Sequence, residues 1–188
     1  MSDAQKSITI ALDRPALTAM CERALLRVLR RSSPTANALP LSTVPRRLLA
    51  VKVHGLGDSV MVRSLLEHFR RRHPQVDIGV LAGPANRDVL TAGSNYQLHQ
   101  YDQRTLSAST ILRTLADIRK RRYEAAIDFE QGSLAGAAFI RATGIPIRAG
   151  FLPLSSSAKA ALLTHPIRFR EEDSVWASFI RLMRSQWK

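Results

Sequence analysis

The chain has 188 residues, 45% of them apolar, which suits one domain with an appendage and excludes wholesale disorder. No apolar run reaches the roughly 18 to 20 residues that span a bilayer, and the opening MSDAQKSITIALDRP lacks the basic-then-apolar layout of a secretory signal. A formal net charge of +13 favours anionic partners, while the lone cysteine, Cys21, leaves no internal disulfide and fits a reducing, cytoplasmic compartment.

Residues 1–45 read as a basic amphipathic arm and linker. Between Pro15 and Arg31, Leu17, Met20, Cys21, Ala24, Leu25, Val28 and Leu29 recur at three- and four-residue steps and form one apolar helical face. Arg23, Arg27, Arg30 and Arg31 lie on or beside the other face. Such a helix can dock on an anionic membrane surface, or pack on its own domain. SSPTANALPLSTVP, rich in Ser and Pro, follows as the linker.

From Arg46 onward strands and helices alternate. Strands are expected over 48–53, 76–83, 96–101, 123–129 and 145–151, with a sixth over 164–169 after a less regular region. The helices between them run from Ser59 to Arg72, Pro84 to Ala92, Ser109 to Arg122 and Ser133 to Ala142, and a last one from Ser174 to Arg184. This alternation predicts an α/β fold, a Rossmann-like doubly wound parallel sheet.

In such a sheet ligands meet the carboxyl ends of the strands, where His54-Gly55-Leu56-Gly57-Asp58 follows the first one. Three readings of this turn compete. As a dinucleotide fingerprint it lacks the third glycine, which is Val60 here, and no acidic residue ends the second strand. Asp58 could simply cap the helix. It could also accept a proton from a hydroxyl bound in the opening that the glycines leave.

RRLLAVKVHGLGDSVMVRSLLEHFRRRHPQVDIGVLAGP resembles the start of family-9 glycosyltransferases, the heptosyltransferase-like enzymes of lipopolysaccharide core assembly. RKRRYEAAIDFEQGSLAGAAFIRATGIPIRAGF and LLTHPIRF with the helix after it are similar to later family segments in the same order, so the resemblance covers about residues 46–185. The resemblance implies one half of a GT-B architecture: residues 46–188 as a Rossmann-like acceptor-side domain, with no counterpart of the C-terminal donor domain. It implies inverting transfer of a heptose or related sugar from an ADP-heptose-type donor to a lipopolysaccharide core acceptor. The donor is a substrate; no cofactor is expected, and no Asp-x-Asp motif or zinc-ligand spacing suggests a metal.

By the same resemblance Asp58 corresponds to the general base, and Gly55 and Gly57 shape the acceptor opening. Gln131 and Gly132, after the fourth strand, could bind sugar hydroxyls, and Arg63 could reach an acceptor phosphate; ordinary turns and a solvated arginine are the plainer alternatives. His54, Asp128 and Arg148 carry no assigned role, and Trp176, Phe179, Ile180 and Met183 make a stripe that reads as core or as a face for a second half. The expected partners are a lipopolysaccharide-type acceptor, an anionic membrane surface through residues 15–31 and a separately encoded donor half, at the cytoplasmic face of the inner membrane. The alternative is a basic anion- or nucleic-acid-binding module without catalysis. Nucleic acid is disfavoured because the aromatics, 6% of the chain, are not interleaved with the arginine runs.

Overall fold

A computed structural model describes residues 43–101, 107–152, 157–170 and 172–186; the arm expected over 15–31 lies outside them. Six strands, β1 (Arg47–Lys52), β2 (Asp77–Ala82), β3 (Gln97–Gln100), β4 (Ala125–Asp128), β5 (Ile147–Leu152) and β6 (His165–Arg168), form one sheet in the order β3-β2-β1-β4-β5-β6. Every pairing is parallel. The helices are α1 (Leu56–Arg72), α2 (Arg87–Thr91), α3 (Ala108–Arg121), α4 (Leu134–Thr143), α5 (Ser157–Ala160) and α6 (Val175–Gln186). The expected Rossmann-like α/β sheet is therefore present, and the less regular region before β6 holds the short helix α5.

Parallel strands buried on both faces need near-continuous apolar runs, and Leu48, Leu49, Ala50 and Val51 are all buried. Their side chains alternate between two cores. Leu48 and Ala50 meet α1 and α6 through Val62, Leu66 and Phe179. Leu49 and Val51 meet α3 and α4 through Ile118, Phe139 and Ile140. In α1 the buried Val62, Leu65, Leu66 and Phe69 follow helical spacing, and the helix stops at His73, before Pro74. Basic residues fill its last turn, where the carbonyl end of the helix favours positive charge. Among the described residues no helix is long and apolar enough to cross a membrane.

One glycine in β2 marks where close packing left no choice of residue. A Cβ on Gly79 would sit 1.9 Å from Tyr123 Oη and 2.5 Å from its Cζ. That hydroxyl bonds His99 Nε2 at 2.9 Å, and His99 Nδ1 meets Asp117 Oδ2 at 2.7 Å. Gly79→Ala must displace the whole ring and break its buried bond to His99. A loss of about 2 to 4 kcal/mol in urea unfolding is expected; an unchanged midpoint would contradict the packing.

Candidate active site

At the carboxyl ends of β1 and β4 the chain departs to opposite faces, α1 to one and α4 to the other, which opens a crevice at the topological switch point. The turn after β1 is held tightly. Gly55 takes φ +79, a left-handed conformation suited to glycine, and its carbonyl accepts from Ser59 Oγ at 2.7 Å and Ser59 N at 3.0 Å. Asn86, fully buried, donates through Nδ2 to the Lys52 carbonyl (2.8 Å) and to Ser59 Oγ (2.9 Å), and accepts from Gly83 N (2.9 Å). Gly83 must be small, since a Cβ there would lie 2.4 Å from the Val53 carbonyl oxygen. The end of β1, the start of α1 and the end of β2 are thereby tied into one unit.

Charged side chains gather on this frame. Lys52, the last residue of β1, is only 3% exposed. Its ammonium lies 3.1 Å from Asp58 Oδ2 and 3.6 Å from Glu130 Oε1, and 5.9 Å from the centre of the Phe179 ring. Glu130 Oε1 also accepts the backbone N–H groups of Val53 (2.7 Å) and His54 (2.9 Å), while Oε2 lies 3.5 Å from His54 Nδ1. One carboxylate thus clamps the turn after β1 to the end of β4. Beneath it Lys159, from α5, donates to the Glu130 carbonyl at 2.6 Å and pairs with Asp128 Oδ2 at 3.1 Å. Burial pushes the Asp128 carboxyl up to about 6, although the Lys159 charge and the N–H of Glu130 both oppose that rise.

Asp58 differs from these neighbours in being open. Its side chain is 33% exposed, in the first turn of α1, between the exposed Leu56 and Val60. The helix begins at Leu56 rather than at Ser59, so Gly55 occupies the cap position, and among the described residues no helix N–H donates to the Asp58 side chain, which lies in the first turn. The capping alternative fails for that reason. The carboxylate bonds to a buried lysine and not to the helix N–H groups. Across the crevice a shallow cleft is lined by His54, Tyr101, Glu130, Ser133, Gly136 and Phe139, among others. Among the described residues no group of three His, Cys, Asp or Glu is placed to hold a metal ion.

Comparison with solved structures places the fold. E. coli heptosyltransferase WaaC with ADP-2-deoxy-2-fluoro heptose matches with a TM-score of 0.63 at 15% identity, over 74% of this chain and 48% of that one. A family 9 glycosyl transferase from Veillonella parvula matches with a TM-score of 0.61 at 16% identity, over 80% and 43%. This chain has a family-9 glycosyltransferase-like fold. E. coli WaaC with ADP matches as well, with a TM-score of 0.58 at 15% identity over 74% and 46%, so the chain spans about half the length of each structure. No family model and no curated protein matches the sequence.

Within this glycosyltransferase-like fold the residues singled out from sequence separate into two groups. Gly55 caps α1, Gly57 and Asp58 lie in its first turn, and Gln131 and Gly132 follow β4 across the crevice. Gln131 Nε2 is buried without a hydrogen-bond partner among the described residues, and a Cβ on Gly132 would meet no atom within 4 Å. Arg63 stands apart. Its guanidinium bonds Glu67 at 2.7 Å and approaches Gly93, in the loop before β3. Arg148 is also engaged elsewhere, donating to the carbonyls of Leu162, Ile145 and Pro146. Trp176 is exposed, whereas Phe179 and Met183 of the same stripe are buried.

Sequence reading missed Lys52, Asn86, Glu130 and Lys159. A lysine closing an otherwise apolar buried strand was the one available signal, because an unpaired buried ammonium is too costly to keep. Nothing in the sequence marked Lys159 as its neighbour in the same charge network.

Proposed function

We propose that this chain forms the acceptor-side half of an inverting glycosyltransferase, moving a heptose or related sugar from an ADP-sugar onto a hydroxyl of a lipopolysaccharide-type core. One observation carries the reading. A partly exposed carboxylate, Asp58, stands at the switch point of a family-9-like sheet, tied through one oxygen to a buried lysine. Its chemistry suits a general base. The acceptor hydroxyl donates its proton to Asp58 while its oxygen bonds the anomeric carbon, and the bond to the diphosphate oxygen breaks on the opposite side. Gln131, partly buried beyond the end of β4, is read as the group that orients a sugar hydroxyl. On this reading the nucleotide-sugar is bound outside the described residues, and the basic segment over 15–31 brings the site to an anionic membrane.

Transfer of labelled heptose from ADP-heptose to a core oligosaccharide, with a donor-binding half supplied, tests the reading; no transfer under those conditions sinks it. The two glycines beyond β1 and β4 can be probed separately. An added Cβ on Gly57 or Gly132 meets no protein atom within 4 Å, and neither has a positive φ. Gly57→Ala lies inside α1 and should raise stability by about 0.5 to 1 kcal/mol. Both alanines should nevertheless weaken acceptor binding roughly tenfold, a loss of about 1.4 kcal/mol. Unchanged affinity in both variants, measured by calorimetry, would move the acceptor away from these two glycines.

A further inference from the structure

We infer that Lys52 is a positioning residue for Asp58, holding one carboxylate oxygen so that the other is presented to the acceptor; the catalytic part of this inference rests on the glycosyltransferase reading, the geometric part does not. Lys52 ends a strand whose other inward residues are all apolar, and its backbone is fixed from two sides. It pairs with Ala82 of β2, and its carbonyl accepts from Asn86. The side chain is equally constrained. Its ammonium has Asp58 at 3.1 Å, Glu130 at 3.6 Å and the face of the buried Phe179 at 5.9 Å.

Burying an ammonium opposes folding, and an apolar residue of similar length would serve the strand better. What the lysine adds is direction. Asp58 packs its side chain over Gly55 and is 33% exposed, and Lys52 is the charged partner of its Oδ2 among the described residues. Lys52 therefore decides where Asp58 Oδ2 sits. Glu130 in turn anchors the ammonium while accepting two backbone N–H groups of the turn, so the three residues move as one body with the ends of β1 and β4. A base held this way meets the acceptor hydroxyl without first sampling other rotamers.

The test compares wild type, Lys52→Met and Asp58→Asn in two assays. In the transfer assay with a donor half, Lys52→Met should lower kcat about 100-fold while both KM values stay within about threefold. An unchanged kcat, or a loss confined to KM, overturns the inference. Solution NMR then reads the geometry without any turnover. Asp58 should occupy a single χ1 rotamer in the wild type and average over several in Lys52→Met. The Lys52 ammonium resonance should also shift in Asp58→Asn. A single Asp58 rotamer that survives loss of the lysine overturns the positioning role. Should Lys52→Met fail to fold, Lys52→Gln carries the same comparison with a polar tip and no charge. Wild-type chains that transfer nothing would remove the glycosyltransferase reading, and the rotamer measurement would still decide whether Lys52 holds Asp58.

Discussion

Asp58→Asn should cut sugar transfer by about 100- to 10,000-fold, the range a positioned general base supplies. The amide keeps the shape of the side chain and can still accept from Lys52, but it cannot take a proton from the acceptor hydroxyl. Little stability is at stake, because Asp58 is 33% exposed and caps nothing. Lys52 keeps Glu130 at 3.6 Å. A change of no more than about 1 kcal/mol in unfolding is therefore expected. Kinetics and urea unfolding on the same preparation separate the two effects. Transfer that survives the substitution excludes Asp58 as the base, and a large loss of stability makes it a structural residue.

Lys159→Met should destabilise the protein by about 3 to 5 kcal/mol near pH 7.5. The reason lies in Asp128, which is fully buried and has Lys159 as its opposing charge at 3.1 Å. Burial raises this carboxyl from 3.8 to about 6, so the folded state binds its proton more tightly than the unfolded chain does. A raised acid stabilises the fold below its unfolded value, and that contribution disappears as pH climbs from about 4 through 6. At neutral pH the native carboxylate is retained at a cost that Lys159 offsets. Without the lysine, the deficit should be largest at pH 7.5 and should shrink at pH 5, where Asp128 is protonated in the fold. The double variant Asp128→Asn with Lys159→Met leaves no buried charge at this spot and should recover to within about 1 kcal/mol of the wild type. Equal losses in the single and double variants would mean that Lys159 acts through packing or through its bond to the Glu130 carbonyl, not through the charge pair.

These two residues sit at opposite ends of what a sequence can convey. The strand-turn-helix around Asp58 was legible because its context is local: a buried strand, two glycines and a helix start fall within a dozen residues, and each has a short-range signature. The strands after Arg46 were legible for the same reason, since a parallel sheet covered on both faces demands unbroken apolar runs. Boundaries moved by a few residues where hydrogen bonding overrode side-chain pattern. α1 begins at Leu56 because Gly55 adopts the left-handed turn, and that shift removed Asp58 from the cap position.

Lys159 had no such signature. The stretch around it read as irregular, and its partners Asp128 and Glu130 lie some thirty residues earlier in the chain. The clamp formed by Glu130 spans 77 residues to Val53. Local pattern determined the strands, the glycine turn and the partly exposed acid at its end. It did not determine that Lys52, Glu130, Lys159 and Asp128 would assemble beneath that acid. Periodicity states which side of an element faces inward, but charges find their counterions only when crossovers bring distant strand ends together. Only the tertiary fold decided that pairing.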